Sequence, residues 1–503
     1  MKIESYRRGF AYSSALSVLD QLLAFLPNAL IAFLYGARAE TDLYFFCLAA
    51  IAVITTFAGN LNSSVLIPES MRIETERGSA AAHRYLFAFL YAYAAIGLLL
   101  GWAAWLHPVA VFGVISRFTG DLLDTQVTLL RLAACVLPMQ LCANLMNDIL
   151  YSRKYFTMPM LASCGNRVLV ILGTLLLHRE LGVASLMAGW TAAFALQLVI
   201  LNRMLARGLG WRTWIRPSSP DASTWRRLRL ACGGGLLSAL SGYVAAYLMS
   251  GLQAGAFTAI HLAMRLLALP TNMITTQASS IIGIRFNELS ATRDQARLAE
   301  FFVQASRALF GVLSLLGVCF VVLSEYVVAL LFQRGGFDVN AAADVSAATA
   351  ILAIALPFVG LNTLAARLFM AEQRLGFALA YQACTTAVYV GAIAWSIHRY
   401  GPAGYVWTYT LFYAVNAFML FPLLRLCFPW LRYGRVLGSL PRLLLIALLA
   451  GAAGHAALSL AQGWTALAAL IVGCGVIGAA YAALSLPLGL ARDLRALLPN
   501  KTA

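Results

Sequence analysis

Long apolar runs, separated by short polar segments, follow one another along most of the chain. A helix needs about 20 apolar residues to cross the hydrocarbon core of a bilayer. A membrane β-barrel would instead require short strands in which apolar and polar residues alternate. The pattern therefore predicts an all-α polytopic membrane protein with about 14 transmembrane helices. The predicted spans are residues 9–35, 43–66, 85–106, 125–150, 157–178, 183–204, 229–250, 255–283, 301–332, 341–370, 377–397, 403–424, 442–461 and 464–490.

The composition excludes most soluble classes of protein. Of the 503 residues, 61% are hydrophobic and 11% are charged, whereas a soluble domain has roughly 45–50% and about 25%. So few charges cannot cover a water-facing surface, which rules out a soluble enzyme, a disordered chain and an ordinary nucleic-acid binder. The nine cysteines form no C-x-x-C motif, so we interpret them as buried apolar residues rather than metal ligands or disulfides.

The basic residues are distributed unequally between the two sides of the predicted membrane. The formal net charge is +16, and cytoplasmic loops of membrane proteins carry an excess of Lys and Arg. If the N-terminus is cytoplasmic, most of the 36 Lys and Arg fall on cytoplasmic segments. This bias predicts that both termini are cytoplasmic and that the number of spans is even. The outer segments then hold only Arg38, Arg117, Arg179, Arg334 and Arg399.

A weak internal repeat divides the first twelve spans into two halves. LPMQLCANLMNDILYSRKYF begins at Leu137 and LPFVGLNTLAARLFMAEQRL begins at Leu356, and each ends in a short basic turn. Both halves would enter the membrane in the same orientation, as a pseudo-twofold parallel repeat with the substrate site between them. The predicted domains are an N-terminal six-helix bundle at 1–206, a basic cytoplasmic linker at 207–228, a C-terminal six-helix bundle at 229–424, and two extra transmembrane helices with a cytoplasmic tail at 425–503.

Several ionisable residues fall inside predicted spans, where a charge costs roughly 2.5–3.5 kcal/mol. Arg265 lies deep in its span, before Pro270 and with no acid within one helical turn; we expect it to face a wet cavity and to bind an anionic group. Asp148 and Arg367 occupy equivalent positions of the repeat, which would let them pair, and Asp20 interrupts the first span. For three arginines near span ends we expect snorkelling or structural ion pairs instead: Arg131, Arg167 and Arg307.

Motifs of enzymatic chemistry are absent from the sequence. It has no P-loop, no H-E-x-x-H and no G-x-S-x-G, and its six histidines are scattered. The chain is therefore interpreted as a transporter rather than an enzyme, with no cofactor and no metal site. Because no ATP site is found, transport would draw on a coupling monovalent cation, the membrane potential or the substrate gradient.

Several stretches resemble one family of membrane transporters. They are LYGARAETDLYFF (34–46), NLNSSVLIPESMR (60–72), AMRLLALP (263–270), LLFQRGGFD (330–338) and RLFMAEQR (367–374). They are similar to the MviN/MurJ-like branch of the multidrug/oligosaccharidyl-lipid/polysaccharide exporter superfamily, and LLFQRGGFD is the most specific of them. The similarity extends over most of residues 10–425, and the two extra C-terminal helices also fit this branch.

The resemblance implies a fold and a substrate. Members have two six-helix bundles around a cationic cavity and two further helices with a groove for a lipid tail. They flip undecaprenyl-pyrophosphate-linked sugars, chiefly the peptidoglycan precursor lipid II. By this resemblance Arg265 would bind the pyrophosphate or the adjoining sugar, and Asp42 would be the acid at the outer end of the first hairpin. Arg367 matches the arginine that opens the tenth-helix motif.

The first two spans depart from the family. Members usually carry arginines there, but this chain has Asp20-Gln21, Leu26-Pro27-Asn28 and the uncharged stretch VITTFAGN at 53–60. The cavity is therefore predicted to be less positive on its N-terminal side. That leaves room for a lipid-linked saccharide other than lipid II, such as an exopolysaccharide repeat unit.

The sequence thus predicts a flippase of the bacterial inner (cytoplasmic) membrane that works by alternating access. Its partners would be a lipid-linked oligosaccharide and membrane lipids, without nucleic acid. Two alternatives stay open: a cation-coupled exporter of small amphiphiles, and a non-transporting membrane scaffold for cell-wall synthesis. The predicted substrate-binding residues are Arg265, Arg367, Asp148, Asp42 and Asp20.

Overall fold

The computed structural model describes residues 6–211, 221–460 and 463–497, and the regular structure in these ranges is helical. Parts of the predicted linker and tail, including Arg216, therefore lie outside the described residues. The helices are α1 (Tyr6–Tyr35), α2 (Ala39–Leu61), α3 (Ile67–Arg77), α4 (Ser79–Leu106), α5 (Pro108–Ile115), α6 (Gly120–Thr125), α7 (Val127–Ser152), α8 (Thr157–Leu181), α9 (Ala184–Leu209), α10 (Ala222–Met249), α11 (Ala256–Ala291), α12 (Gln295–Leu331), α13 (Val339–Ala353), α14 (Leu356–Ala371), α15 (Leu375–Cys427), α16 (Tyr433–Ser459), α17 (Ala466–Ser485) and α18 (Leu490–Leu497).

Most of these helices could span a membrane. Among the described residues, 12 helices are long and apolar enough, and the number is 13 if α13 and α14, bent by 46° at their junction, form one span. α15 has 53 residues and is broken at Gly401, where φ is 60° and ψ is −139°. A straight helix of that length would measure about 80 Å, far more than the roughly 30 Å of a hydrocarbon core. The predicted all-helical membrane fold is therefore confirmed, whereas the count of fourteen spans stays a prediction.

The side chains on the outer faces of these helices are those expected of surfaces that meet lipid. Soluble proteins rarely expose large contiguous apolar patches, but here large apolar residues are exposed along nearly every long helix. On α16 and α17 the exposed residues include Leu445, Leu448, Leu449, Leu467 and Ile471.

The chain forms two compact units. Unit one contains residues 1–31 and 37–258, and unit two contains residues 32–36 and 259–503. Within unit one, α10 packs against α2. The predicted domain boundaries at 206, 228 and 424 follow the sequence repeat rather than this grouping, and they stay predictions.

Small residues allow close helix contacts in unit one. A Cβ added at Gly97 or Gly101 of α4 would collide with α7, at the backbone of Pro138 and Ala134 respectively. A side chain at either glycine would therefore push the two helices apart. Small residues of this kind commonly let membrane helices approach each other closely.

Helix α12 is the centre of unit two, where it packs against α13, α14, α16, α17 and α18. Glycines of α16 and α17 also lie at close helix contacts. A Cβ at Gly451 would meet Val318, one at Gly454 would meet Ile477 and one at Gly473 would meet Leu323. Two further glycines of α17, Gly475 and Gly478, have open space beside them.

The stretch LLFQRGGFD forms a turn after α12 that packs against the end of α1. The N–H of Gly336 donates a hydrogen bond to the carbonyl of Phe33 at 2.7 Å. Gly335 has a φ of +66°, and a Cβ there would overlap the carbonyl of Phe33. A glycine is therefore required at position 335 by a close approach of two backbones within unit two.

Residues with positive φ recur at matching places in the two halves of the sequence. Gly36 precedes α2 and Gly255 precedes α11, and both have positive φ. Lys154 and Gln373 have φ near 60° in the turns after α7 and α14, and are as far apart in the chain as Gly36 and Gly255. The same separation relates Gly182, with φ 53° and ψ −136°, to Gly401. It is also the separation between Asp148 and Arg367, and between Leu137 and Leu356, where the two stretches of the predicted repeat begin.

Candidate functional site

Arg265 lies near the middle of the candidate span Ala256–Thr275 in α11, which continues as a helix through Pro270. The residue is exposed, and its Nε donates a hydrogen bond to Nε2 of His261, one turn earlier, at 3.1 Å. The histidine nitrogen accepts this bond, so the geometry fits a neutral imidazole. An always-charged guanidinium in mid-span is suited to binding an anion such as pyrophosphate.

Arg367 lies in α14 and binds α11 at another level. Its Nε donates to Oγ of Ser279 at 2.7 Å. Ser279 and Arg265 are about four helical turns apart on α11, which corresponds to roughly 21 Å along the axis. The structure therefore does not bring the two predicted arginines to one point of unit two.

Asp148 takes part in a chain of hydrogen bonds that joins α7, α4 and the junction of α2 with α3. Its Oδ2 accepts a hydrogen bond from Nδ2 of Asn62 at 2.7 Å, and the hydroxyl of Tyr93 donates to Oδ1 of Asn62 at 2.9 Å. Asn62 begins a π-helical turn, Asn62–Leu66, between α2 and α3. Such turns are rare and frequently lie at functional sites. The predicted pairing of Asp148 with Arg367 stays a prediction.

Asp42 is buried, and its carboxylate holds the start of α11. It accepts hydrogen bonds from the N–H of Gly255 at 2.7 Å, from the N–H of Thr258 at 2.7 Å and from Oγ1 of Thr258 at 2.6 Å. A carboxylate at a helix N-terminus is favoured by the helix dipole and satisfies unpaired N–H groups. These contacts give the residue a structural role beside the role implied by the resemblance.

Asp20 lies against Arg167. Its Oδ1 is 3.7 Å from Nε of that arginine, both side chains are partly buried, and the guanidinium lies 5.2 Å from the ring centre of Trp190. The expected structural ion pair for Arg167 is therefore present. Because the two charges oppose each other, this part of unit one adds little net positive charge.

The other two arginines expected to have structural roles also have local partners. Nε of Arg307 lies 3.3 Å from Oδ2 of Asp493 in α18, and Nη2 of Arg307 donates a hydrogen bond to the carbonyl of Leu488. Burial raises the pKa of Asp493, while the charge of Arg307 opposes that shift. Arg131 lies over the ring of Trp105 at 5.8 Å.

Comparison with known proteins identifies the family. Residues 31–473 match the sequence profile of the family described as lipid II flippase MurJ. The chain belongs to this family. Members are lipid flippases, so this chain is a polytopic membrane transporter and not an enzyme. The comparison with curated proteins gave no match.

Solved structures share the fold of this flippase. A lipid II flippase MurJ in an inward closed conformation is similar with a TM-score of 0.77 and 14% identity, over 96% of this chain and 99% of that one. An inward-facing MATE multidrug transporter of the MOP superfamily has a TM-score of 0.62 and 16% identity, over 82% and 94%. A MOP superfamily transporter from Pyrococcus furiosus, described as having a binding pocket of reverse polarity, has a TM-score of 0.56 and 17% identity, over 83% and 92%. At these identities the likeness shows the fold alone.

The flippase has a second group of polar side chains, in unit two, that we did not predict from the sequence. The hydroxyl of Tyr381 donates to Oδ1 of Asn416 at 2.7 Å, and Nδ2 of Asn416 donates to Oδ1 of Asn362 at 2.8 Å. Polar residues inside membrane spans are costly and often functional. The signal was available as the helical spacing of Tyr405, Tyr409, Tyr413 and Asn416 along one span.

The ionisable groups of the described residues give no candidate metal centre. Within the ranges that the structure covers, no three His, Cys, Asp or Glu residues are grouped so that they could hold a metal ion. The nine cysteines are free thiols.

Proposed function

We propose that this flippase moves an undecaprenyl-pyrophosphate-linked saccharide across the bacterial inner membrane. The substrate class is a lipid II-type peptidoglycan precursor or a related polysaccharide repeat unit. The headgroup would be loaded from the cytoplasmic side while the lipid tail stays in the bilayer, and alternating access would then release it outside. A coupling monovalent cation or the membrane potential would supply the driving force.

The observation that carries the proposal is the position of Arg265 in a member of this family. A permanent charge at mid-span is tolerable only where water or a counter-charge can reach it. The side chain is exposed and its Nε binds His261. The planar guanidinium offers paired donors to phosphate oxygens, so an anionic lipid headgroup is the chemistry that this position favours.

The choice between lipid II and another repeat unit depends on unit one. The first two spans lack the arginines usual in the family, and Arg167 is compensated by Asp20. Fewer cations on this side favour a headgroup with less negative charge than that of a typical member's substrate. Rescue of cells depleted of their lipid II flippase would assign lipid II, and failure together with in vitro flipping of another lipid-linked saccharide would assign that one.

The test of Arg265 is a flipping assay in proteoliposomes, with accessibility of the lipid-linked saccharide at the outer leaflet as the readout. Arg265→Ala should abolish flipping while leaving the protein folded and abundant. Arg265→Lys should restore it only in part, because lysine keeps the charge but loses the bidentate geometry. Arg285→Ala is a matched control, since that arginine lies on the same helix, is exposed and pairs with Glu288. Full activity in Arg265→Ala would remove the residue from the mechanism.

The runner-up, a cation-coupled exporter of small amphiphiles, predicts a different result. A cation site would use acids rather than an arginine, so Arg265→Ala would leave its transport intact and Asp148→Asn would abolish it. The fold similarity to MATE transporters alone does not favour this alternative.

A further inference from the structure

We propose that one face of the second half of α15 is a sugar-binding platform for the headgroup whose pyrophosphate is held at Arg265. We call it the tyrosine face and define it as Tyr405, Tyr409, Tyr413 and Asn416. The inference rests on the proposed function and names the part of the site that would recognise the saccharide.

The rings of the tyrosine face form a row along the helix, with successive ring planes tilted by 34° and 50°. The ring centres of Tyr405 and Tyr409 are 6.5 Å apart, and those of Tyr409 and Tyr413 are 4.7 Å apart. Steps of four and three residues place these side chains on one side of a helix. From Tyr405 to Asn416 the face extends for about 16 Å along the axis, which is long enough for more than one sugar ring.

The row of rings begins at the helical level of Arg265. The hydroxyl of Tyr405 lies 3.8 Å from Sδ of Met264, the residue immediately before Arg265 on α11. The face therefore starts at the level of the candidate pyrophosphate site and runs away from it. A headgroup with its phosphates at Arg265 would have its sugars along this line, and all of these residues belong to unit two.

The far end of the face is polar. Asn416 is bound by the hydroxyl of Tyr381 and itself donates to Asn362. Amides and phenol hydroxyls donate and accept hydrogen bonds in the way that sugar hydroxyls require. Tyr405 is buried, whereas Tyr409 and Tyr413 are only half-buried, so these two rings are the ones open to contact.

The chemistry of this surface fits a saccharide better than a purely apolar ligand. The C–H groups of a sugar ring can pack on an aromatic face through weak contacts, while the hydroxyls at its rim bind polar neighbours. An apolar tail would gain nothing from the amides at the end of the face. Binding sites for small molecules typically combine aromatic walls with a few placed polar groups, as here.

The test compares two substrates in proteoliposomes: undecaprenyl pyrophosphate that carries a disaccharide, and undecaprenyl pyrophosphate without sugar. Tyr409→Ala and Tyr413→Ala should each raise the KM for the disaccharide substrate by about threefold to tenfold, the scale of one aromatic contact. Transport of the sugar-free lipid should not change. Trp407→Ala is the matched control, because this aromatic residue of the same helix is exposed and lies on another face; it should affect neither substrate.

A second variant separates binding from packing. Tyr409→Phe keeps the ring and removes the hydroxyl, so it should have a smaller effect on the disaccharide substrate than Tyr409→Ala and should retain wild-type thermal stability. An equal loss for both substrates would mean that the tyrosines only pack the helix, and no loss for either would mean that the sugar does not contact them; both results overturn the inference. If the wild-type protein flips neither lipid, the proposed function itself has failed.

Discussion

Asp42 shows how one buried side chain can organise a helix end. Its carboxylate accepts three hydrogen bonds from Gly255 and Thr258 and lies beside the hydroxyl of Thr41, which is 3.0 Å from Oγ1 of Thr258. An amide at this position could not accept from all these donors, because its NH₂ group would face one of them. The acid is therefore required for the start of α11, whatever it does in transport.

We expect Asp42→Asn to destabilise unit one by about 1.5–3 kcal/mol, the scale of a hydrogen bond to a charged group. The measurement is the thermal unfolding midpoint of the purified protein in detergent. Glu40→Gln, two residues earlier on the same helix, should leave the midpoint unchanged. If Asp42→Asn keeps its stability but loses flipping, the residue acts in transport and not in holding α11.

Individual residues also show what the sequence could not reveal. The apolar runs predicted the helices. The position of Arg265 within its predicted span predicted that it lies near the middle of that span. Asp42 binds residues more than two hundred positions away in the chain. A local sequence pattern cannot predict contacts between residues so far apart. The pair of Asp20 with Arg167 is non-local in the same way. The tyrosine face was visible in the spacing of its residues, but aromatic residues at that spacing are also common in helix packing.

At the scale of helices, an ion pair connects the turn after α7 to helix α3 in unit one. Arg153, in the turn after α7, pairs with Glu74 of α3, and the side chains are 13% and 33% exposed. The repeat separation that relates Asp148 to Arg367 also relates Arg153 to Glu372 and Glu74 to Arg293. In unit two, Glu372 lies in the turn after α14 and Arg293 in the turn after α11. The two halves therefore carry opposite charges at these related positions. Arg293 and Glu372 line a cavity of about 660 Å³.

We expect Arg153→Glu to loosen this end of unit one, because two carboxylates would face each other in a partly buried place. The loss should be about 1–3 kcal/mol, below the 3–5 kcal/mol of a fully buried pair because water still reaches Glu74. Faster proteolysis at the turn after α7, in membranes, is the measurement. The double variant Glu74→Arg with Arg153→Glu should restore protection, whereas Arg179→Glu, at an exposed site on α8, should have no effect. Failure of the double variant to recover would mean that the interaction is not electrostatic.

Helix α15 shows where helix boundaries depend on more than hydropathy. The sequence predicted two spans, 377–397 and 403–424, and in the structure α15 consists of two helical segments that meet at a kink at Gly401. A positive φ with ψ near −139° is easily reached only by glycine, and Pro402 follows directly. Gly-Pro thus marked the break, although the helix on either side extends beyond the predicted limits.

At the scale of the whole molecule, the unequal distribution of basic residues predicts the orientation. Arg38, Arg117, Arg334 and Arg293 are all exposed, so a cysteine at each would be open to reagents. We expect a membrane-impermeant thiol reagent to label positions 38, 117 and 334 in intact cells. Position 293, like position 216, should react only after the membrane is opened.

The labelling requires a background without the nine native cysteines, whose thiols would otherwise react. Retained flipping in that background is the control for a native fold. Labelling of position 216 or 293 from outside would reverse the orientation, and with it the direction assigned to transport.

The turn formed by LLFQRGGFD has a consequence for biogenesis. The carbonyl of Phe33, at the end of the first helix, receives its hydrogen bond from Gly336, a residue made about 300 positions later. At a synthesis rate of roughly 5–20 residues per second, the first helix waits on the order of 15–60 s for its partner. During that time the end of the first helix can bind other partners. We therefore expect a membrane chaperone to act on this segment, and quality control to recognise it in a truncated chain.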